Sequence, residues 1–377
     1  MSIVKFSEVA HRAYTREDRF NTEKIYYVGG EHIDSCELYV TKKGVIKGST
    51  IGPMFYCGFT AGQILFVTRN PHLKKCSIAD FDGICSEKTF VIETKDESIL
   101  TQEYLAIIMQ SDDFWNYCEE NKSGGVNYFL NWSTLADYEF ELPPIKQQLE
   151  IAQKVMSAYR LKQSYKKLLD ATREMVKSQF IEIFYGMETT PVKDYIDDSF
   201  PGEWGTEDKD GNGVKVIRTT NFTNSGKLNL ADVVTRSIED RKVVRKQIKK
   251  YDTILERSGG TADNPVGRVV LFEEDNLFLC NNFTQVLRFK DVDPRFAFYA
   301  LYYFYQTNRT AIRSMGSKTT GIQNLNMSKY LEIGIPNASD EDQKAFVTIA
   351  EQADKSEFEL RKSIEAIDQV IKSLINN

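Results

Sequence analysis

The chain has 377 residues, a hydrophobic fraction of 41% and a formal net charge of −6 at pH 7. This length predicts two or three domains, and the apolar content is sufficient for packed cores. The first residues contain no apolar core of a signal peptide, and no later run approaches the roughly 18 apolar residues of a membrane span. We therefore expect a cytoplasmic protein that makes no contact with a membrane.

Cysteine usage agrees with a reducing compartment. The six cysteines are scattered and form no C-x-x-C pair, which is typical of thiols that stay reduced. Two spacings, His32-x3-Cys36 and His72-x3-Cys76, would together supply a Cys2His2 zinc set. No short knuckle brings the two pairs together, and cysteine is more often a small buried apolar residue. We therefore predict no metal site.

A short strand leads into a long helix near the middle of the chain. Phe140 and Leu142 alternate with glutamates, which is the pattern of a strand with one buried face. Pro143 and Pro144 end the strand, because proline has no backbone N–H and restricts the residue before it. Apolar residues then recur at helical spacing, without proline or glycine, as far as Gly186. This spacing predicts a helix of about forty residues, roughly 60 Å long.

The same order of features returns near the end of the chain. Leu331, Ile333 and Ile335 alternate and predict a second strand, which Pro336 ends. Apolar residues at steps of three and four then predict a second long helix, with the spacing of a coiled-coil seam. Three residues that could cap this helix are Asn337, Ser339 and Asp340.

Shorter segments also match between the two halves. Both members of the first pair are short strands that end at an arginine, and the third pair is rich in Gly, Ser or Thr. The matched pairs are residues 62–70 with 251–259, residues 81–92 with 276–289, and residues 122–135 with 316–330. Each half is therefore predicted to be a mixed α/β globule followed by a long helix, arranged as a direct repeat.

Each long helix has an apolar stripe that must be buried, and the other helix is the obvious mate. Residues 145–185 carry eight basic and four acidic side chains, whereas residues 340–377 carry five and nine. Opposite net charges favour pairing of the two helices and oppose self-pairing of either one. Antiparallel pairing would place the two globules at opposite ends, related by a pseudo-twofold axis. The candidate partner-binding residues on the stripes are Leu149, Val155, Tyr159, Phe180, Phe346, Leu360, Ile364 and Ile371.

Over essentially its whole length the chain resembles the DNA-specificity subunit of type I restriction–modification systems. In the first half the resemblance rests on the junction Leu142–Ile151, where Pro-Pro and Gln-Gln lead into the long helix, and on "GICS" at Gly83. In the second half it rests on "GNGVKVIRTTNFTNSGKL" at Gly211 and on the Gly/Ser/Thr-rich segment before the terminal strand. The order and duplication of these segments, rather than any one of them, carry the resemblance.

The resemblance implies an α+β fold with two target-recognition domains in tandem, residues 1–143 and 187–337. It implies that two spacer helices, residues 144–186 and 338–377, pair as an antiparallel coiled coil. Each domain would read one half of a bipartite site in double-stranded DNA. The helices would bind two modification subunits, which hold S-adenosylmethionine and methylate adenine at N6, and a motor-nuclease subunit would join for restriction and phage defence. This chain itself would bind no cofactor.

The sequence contains no catalytic motif that we recognise. N6-adenine methyltransferases carry an Asn-Pro-Pro-aromatic box, whereas the Pro-Pro of this chain follows Leu142. No G-x-x-x-x-G-K-[ST] phosphate loop is present, and the glycine-rich segment that begins at Ser258 is more typical of a turn than of a phosphate cradle. Two alternatives stay open: a coiled-coil scaffold without DNA specificity, and an enzyme on nucleotides or sugars with a site near Cys85.

The candidate DNA contacts are polar and basic loop residues. Base edges are read by Arg, Lys, Asn and Gln, and phosphates are bound by Lys, Arg, Ser, Thr and backbone N–H groups. In the first globule the candidates are Lys74, Lys75, Ser86, Lys88, Lys122, Ser123, Gly124, Asn127 and Tyr128. In the second globule they are Arg218, Thr219, Thr220, Asn221, Arg257, Ser258, Thr261, Asn282, Lys318, Thr319, Gln323 and Asn324.

The charge distribution limits how tightly the chain alone can bind DNA. Residues 236–250 hold seven basic and two acidic side chains, which predicts either a phosphate clamp or a solvated helix. Residues 1–144 hold fourteen basic and twenty-one acidic side chains. Because neutralisation of phosphates supplies most non-specific affinity, we predict weak DNA binding by the isolated chain and a large contribution from partner subunits.

Overall fold

The chain folds as two units, each built from one globular part and portions of both long helices. In the computed structural model, the described residues are 2–261, 263–319 and 322–376, with the side chains of Lys318 and Thr319 excepted. Unit 1 comprises residues 1–169 and 359–377, and unit 2 comprises residues 170–358. No helix of the described residues is both long enough and apolar enough to cross a membrane.

In the described residues, the globular part of unit 1 contains eleven short strands and four short helices. The strands are β1 (Ser2–Lys5), β2 (Ala10–Arg12), β3 (Thr15–Arg16), β4 (Tyr26–Val28), β5 (Gly44–Val45), β6 (Phe55–Phe59), β7 (Ile64–Val67), β8 (Cys76–Ile78), β9 (Gly83–Ser86), β10 (Thr89–Thr94) and β11 (Glu139–Leu142). The helices are α1 (Phe6–Val9), α2 (Gln102–Ile108), α3 (Asp112–Glu120) and α4 (Trp132–Ala136), with a 3-10 turn at Pro71–Leu73. The first long helix, α5 (Ile145–Phe184), follows β11.

Unit 2 follows the same plan with further strands. They are β12 (Thr189–Pro191), β13 (Ile196–Pro201), β14 (Thr206–Glu207), β15 (Val214–Ile217), β16 (Val234–Ser237), β17 (Thr253–Glu256), β18 (Ser258–Gly259), β19 (Val269–Leu271), β20 (Phe278–Cys280), β21 (Thr284–Phe289), β22 (Gly316–Thr319), β23 (Ile322–Leu325) and β24 (Gly334–Pro336). The helices are α6 (Asp240–Lys246), α7 (Pro294–Thr307), α8 (Arg309–Met315) and α9 (Met327–Tyr330), with 3-10 turns at Val192–Tyr195 and Thr219–Asn221. The second long helix is α10 (Asp340–Asn376).

An antiparallel four-stranded sheet recurs in both units with the same strand order. The order is β2-β10-β7-β8 in unit 1 and β13-β21-β17-β19 in unit 2. A two-stranded sheet also recurs, as β1-β11 and as β12-β24. Strands β7 and β17 therefore hold equivalent places, as the match of residues 62–70 with 251–259 predicts. The predicted direct repeat is confirmed.

The remaining sheets differ between the units. Among the described strands, each unit has one parallel pair, β4 with β9 in unit 1 and β15 with β20 in unit 2. An antiparallel strand flanks the first strand of this pair in both units, as β5 beside β4 and β16 beside β15. Unit 1 adds a further antiparallel strand, β6, beside β9. Unit 2 also contains the three-stranded sheet β18-β23-β22. The two units thus share a common sheet but present differently built loops.

A buried glutamine fixes the start of each long helix. Gln148 Nε2 donates to the carbonyl five residues before it at 2.9 Å, and Gln148 Oε1 accepts from Thr101 N at 3.1 Å. Gln343 makes the equivalent pair of hydrogen bonds: its Nε2 donates to the carbonyl five residues before it at 2.9 Å, and its Oε1 accepts from Asp293 N at 2.9 Å. Thr101 and Asp293 are the N-caps of α2 and α7. Each glutamine therefore joins a long helix to its globule, and the two helices start alike although their junction sequences differ.

The strand predicted over residues 331–335 is wrong in its first part. Helix α9 precedes it and is capped by Asn326, whose Oδ1 accepts from Lys329 N at 3.1 Å. Leu331 ends that helix, so strand β24 starts only at Gly334. Of the three candidate caps of α10, Ser339 is the one whose hydroxyl accepts a first-turn backbone N–H, at 3.2 Å.

The long helices pack against each other and against the globular part within each unit. In unit 1, Ile371, Leu374 and Ile375 of α10 pack on a core that includes Ala152, Val155, Met156 and Tyr159 of α5. In unit 2, Phe180 and Phe184 of α5 face Phe346 of α10, with ring centroids 5.1 and 5.7 Å apart. Residue numbers on α10 fall as those on α5 rise. The predicted antiparallel pairing is therefore confirmed.

Glu37 joins the globular part of unit 1 to both long helices. Its carboxylate accepts hydrogen bonds from Tyr159 at 2.7 Å, Lys162 at 3.2 Å and Lys166 at 2.8 Å. Lys162 also lies 2.7 Å from Asp368 of α10. Burial by itself raises the pKa of Glu37, but hydrogen bonds from Lys166 and Tyr159 and the charge of Lys162 outweigh burial and hold the pKa below its ordinary value of 4.5.

The lowered pKa of Glu37 predicts a loss of stability in acid. Because the folded state holds the carboxylate charged, its stabilisation is complete above the unfolded pKa and disappears as pH falls through the lower folded pKa. We expect the urea midpoint of the wild type to exceed that of Glu37→Gln at pH 7, and the difference to shrink as pH falls below about 4.5. The exposed Glu139→Gln variant is the control. A wild-type advantage over Glu37→Gln that is the same at pH 7 and pH 3 would contradict this account.

Candidate nucleic-acid interface

Three loops of unit 1 meet where β7 ends and β10 begins. They are residues 68–70, 86–88 and 122–130, which we call the first face. Thr68 donates to the Lys88 carbonyl from both its backbone N (2.9 Å) and its hydroxyl (2.8 Å). Thr68 also accepts from Leu130 N at 3.0 Å, and Asn70 N donates to the Tyr128 carbonyl at 2.9 Å. Backbone hydrogen bonds therefore fix the three loops relative to one another.

The longest of these loops closes on itself. Ser123 and Phe129 exchange backbone hydrogen bonds of 2.8 and 2.9 Å. Gly124 has φ +100°, and a Cβ there would lie 2.7 Å from the Asn127 carbonyl, so glycine is required at this turn. The ammonium of Lys122 lies 4.5 Å from the centroid of the Tyr128 ring. The structure thus brings Ser86, Lys88, Lys122, Ser123, Gly124, Asn127 and Tyr128 together.

The two remaining candidates of the first globule are engaged elsewhere. Lys74 has a left-handed backbone and its ammonium lies 3.5 Å from Asp112, a residue that also lies 3.5 Å from Lys372 of α10. Lys74 therefore faces the long helices rather than the first face. The Lys75 ammonium donates to the Gly30 carbonyl at 2.5 Å, which holds it against the globule.

Arg69 of the first face and two arginines beside that face, Arg12 and Arg16, are absent from the sequence-based candidates. The guanidinium of Arg69 lies 5.4 Å from the Phe129 ring, that of Arg12 lies 4.3 Å from Phe90, and that of Arg16 lies 5.0 Å from Tyr56. No ion pair involves these three arginines within the described residues. Their rings come from distant parts of the chain, so no local pattern marks them, although Arg69 is the last residue of a predicted strand.

In unit 2, four segments converge in the same way. They are residues 218–221, 257–261, 281–283 and the described part of 316–325 (316–319 and 322–325), which we call the second face. Arg257 N and Ser258 N both donate to the Phe283 carbonyl, at 2.9 and 3.0 Å, and Leu325 N donates to the Arg257 carbonyl at 2.8 Å. Asn281 N reaches the Ile217 carbonyl at 2.9 Å, next to residue 218. Candidates that are scattered over more than one hundred residues are therefore adjacent.

Several side chains of the second face already have internal partners. Asn221 is 3% exposed, accepts from Arg218 N at 2.8 Å and donates to two carbonyls, so it supports its loop from the inside. The Arg218 guanidinium pairs with Asp232 at 3.0 Å. The Ser258 hydroxyl lies 2.7 Å from Asn324 Oδ1. These contacts order the second face. They leave the side chains of Asn221, Arg218, Ser258 and Asn324 less available to a ligand than exposed side chains without internal partners.

Other candidates of the second face remain open to a ligand. Thr220, Thr261 and Asn282 are exposed, and Thr219 and Gln323 are partly exposed. The Arg257 guanidinium makes one hydrogen bond, at 3.3 Å to Gln285, and has no ion pair within the described residues. By contrast, nearby Arg268 is bound by the buried carboxylate of Glu256 at 2.7 Å. The side chains of Lys318 and Thr319 lie outside the described set, although their backbone forms part of β22.

Part of the chain, mostly in unit 2, matches the model of a known protein family. The model of the type I restriction modification DNA specificity domain matches residues 199–369. These residues are similar to that domain family and make up a little under half of the chain. The second face, whose segments span residues 218–325, lies entirely within the matched specificity domain. The matched residues also include α6 and most of α10.

Further similarities concern one short stretch of sequence and the fold of the whole chain. A 97-residue stretch is 30% identical to the specificity subunit of the EcoDI type I restriction enzyme of Escherichia coli; it covers 26% of this chain and 21% of that relative. Similar folds occur in a solved S subunit of a type I restriction–modification system from M. genitalium, with 12% identity, 99% and 94% coverage and a TM-score of 0.59. A chain from a structural study of assembly of the type I R-M system gives 17% identity, 99% and 96% coverage and a TM-score of 0.56.

The basic cluster at residues 236–250 is largely paired with acidic residues. Within residues 236–250, Arg245 makes two hydrogen bonds to Asp198, at 2.9 and 3.1 Å. Lys242 and Lys246 both approach Glu203, at 3.4 and 2.9 Å. Because acidic partners offset these charges, the cluster offers a phosphate less than its composition suggests.

The glycine-rich loop after β17 turns toward a carboxylate. Gly260 N lies 3.4 Å from the buried Glu256 carboxylate. Gly259 and Gly260 have φ of +113° and +65°, which a turn requires. An acidic group at the base of the loop opposes binding of a phosphate there.

The two histidine–cysteine spacings do not form a metal site. His32 Nδ1 accepts a hydrogen bond from Gly29 N at 2.9 Å, and Cys76 is buried in the unit 1 core. Within residues 2–261, 263–319 and 322–376, no group of three or more His, Cys, Asp or Glu side chains could hold a metal ion.

Most candidate partner-binding residues of the helices are used inside the chain. Val155, Tyr159, Phe180 and Phe346 are buried in the cores of their own units, so another protein cannot reach them. Ile371 packs on the unit 1 core, and Leu360 and Ile364 are half-buried. Leu149 is 54% exposed. A docking surface for another subunit would therefore need exposed positions such as Leu149.

Proposed function

We propose that this chain is the sequence-specific DNA-recognition subunit of a type I restriction–modification complex. Unit 1 reads one half of a bipartite double-stranded site through the first face, and unit 2 reads the other half through the second face. The observation that supports this proposal most strongly is the duplication, because both units hold converging polar loops on a four-stranded sheet of the same strand order. The loops of the second face lie within the residues that match the specificity-domain model.

The construction of the faces supports reading of bases in addition to binding of phosphates. Each face combines basic groups with exposed amides or hydroxyls, the groups that recognise base edges and phosphates. The loops are tied by backbone hydrogen bonds, as between Thr68 and Lys88 and between Arg257 and Phe283. Such ties hold the reading groups in place before DNA arrives, which lowers the entropy cost of binding.

Catalysis belongs to partner subunits in this proposal. Two modification subunits dock on the chain, bind S-adenosylmethionine and methylate adenine at N6 after flipping the base out of the stack. A motor-nuclease subunit adds restriction. The chain selects the DNA sequence that the partner subunits modify. Linkage of the two recognition units raises the affinity for DNA because the second contact is intramolecular.

Methylome sequencing of cells with and without the gene tests the proposal. We expect a split N6-methyladenine motif that is present only when the gene is present. Exchange of residues 187–337 for the corresponding segment of another such subunit should change one half of the motif and leave the other intact. The unexchanged gene is the control.

Two outcomes would count against the proposal. Absence of any gene-dependent motif would favour the alternative of a scaffold without DNA specificity. A change in both half-motifs after the exchange would contradict independent reading by the two units.

A further inference from the structure

Val126 stands at the tip of the longest loop of the first face with its side chain almost fully in solvent. It is 93% exposed, which is the highest value of any large hydrophobic residue in the described part of the chain. A single exposed apolar residue on a protein surface is ordinary. The position of Val126 within a loop that carries Lys122, Asn127 and Tyr128 is what makes it a candidate for contact with DNA.

The loop holds its tip in one shape. The reciprocal hydrogen bonds of Ser123 and Phe129 close the loop at its base. Arg69 and Lys122 stack on the two aromatic rings that follow the tip, at 5.4 and 4.5 Å. The positive φ of Gly124 sets the turn. A tip fixed in this way presents Val126 without a large ordering cost on binding.

The neighbouring residue adds a polar group with no competing use. Asn127 is exposed, and its side-chain amide has no hydrogen-bond partner within the described residues. Asn221 of the second face is the opposite case, because its amide makes three internal hydrogen bonds. Asn127 can therefore direct both its donor and its acceptor to a ligand.

These two side chains match a specific edge of DNA. The major groove is about 12 Å wide and admits a two-stranded ribbon, and this loop is closed at its base by one antiparallel pair, Ser123 with Phe129. In that groove a small apolar side chain recognises the 5-methyl group of thymine, and an asparagine amide recognises N6 and N7 of adenine. The minor groove displays neither the methyl group nor N6.

We propose that Val126 packs on a thymine methyl group in the half-site read by unit 1, and that Asn127 bonds the adenine edge of the same or an adjacent pair. This inference rests on the proposed function and adds the base pair that the loop selects. It makes Val126 a specificity-determining residue and requires an A·T pair in one particular half of the motif.

The test removes single methyl groups from the DNA. After the motif is known, duplexes are made in which each thymine of the unit 1 half-site is replaced, one at a time, by uracil. Binding to the purified complex of this chain with its modification subunits is then measured by competition. At one position, the wild-type complex should bind the thymine duplex about fourfold more tightly than the uracil duplex, as expected for one buried methyl group.

Variants assign that preference to the loop. In Val126→Ala the thymine-to-uracil ratio at this position should fall to near one, while the other positions stay unchanged. Val45→Ala is the matched control, because Val45 is 52% exposed in the same unit and pairs with the first residues of β4. Asn127→Ala should broaden the methylated motif at the same or the adjacent base pair.

Three results would overturn the inference: a unit 1 half-motif without an A·T pair, a wild-type complex that ignores every uracil substitution, or a Val126→Ala complex that keeps the wild-type ratio. Each of them leaves a gene-dependent split motif in place. Failure of the proposed function would instead appear as absence of that motif, so the two failures are distinguishable.

Discussion

Replacement of Phe346 by alanine is expected to lower the free energy of unfolding of unit 2 by about 3–5 kcal/mol, the usual cost of deleting a buried phenylalanine ring. Phe346 is 1% exposed. Its ring lies 5.1 Å from Phe180 of α5 and 5.4 Å from Tyr299 of α7. The substitution thus leaves a cavity where both long helices meet the globular part of unit 2, and a well-packed site of this kind relaxes only partly.

The measurement is urea unfolding of the full chain, followed by far-UV circular dichroism and by tyrosine and tryptophan fluorescence. Phe358→Ala is the matched control on the same helix and in the same unit, because Phe358 is 57% exposed. We expect it to cost less than about 1 kcal/mol. Equal losses in the two variants would contradict the central place of Phe346 in the core.

The repeated architecture could be predicted from the sequence because its signals are local. Alternation at Phe140 and Leu142, a proline stop and helical spacing after Ile145 each occupy a few neighbouring residues, and the structure has buried side chains at both strand positions. The same pattern of alternation predicted the start of the second strand at the wrong residue, because β24 begins at Gly334. There, Asn326 caps a short helix that ends at Leu331. This capped helix forms in place of the first part of the strand that the alternation from Leu331 predicts.

The candidate interface was only partly predictable, because its definition depends on contacts between distant residues. Polar residue type does not reveal that Asn221 is buried or that Lys74 faces Asp112. Arg12 and Arg16 are placed beside the first face by rings at positions 90 and 56. The charge run at residues 236–250 likewise gives no sign of the acidic partners Asp198 and Glu203.

Replacement of Arg257 by alanine is expected to weaken binding of the methylation target by about 5- to 150-fold, the equivalent of the roughly 1–3 kcal/mol of a bidentate arginine–guanine contact. Three features single out Arg257 among the arginines of the second face. Its backbone is fixed by hydrogen bonds to Phe283 and Leu325, its guanidinium bonds only an amide, and it has no ion pair within the described residues.

The variant should change specificity as well as affinity. If Arg257 reads a guanine, the methylome of Arg257→Ala cells should become degenerate at one position, in the same half-motif that changes when residues 187–337 are exchanged. Arg257→Lys keeps the charge but loses the two-pronged donor geometry. It should therefore recover part of the affinity and little of the specificity.

Arg241→Ala provides the control for a lost positive charge, because Arg241 is exposed on α6 of the same unit. It should change target binding by less than twofold. Competition binding to a target duplex and to a scrambled duplex separates the two roles of an arginine. Equal weakening on both duplexes would make Arg257 a phosphate contact, because phosphate contacts carry no sequence information, and the assignment of base reading to this side chain would then be wrong.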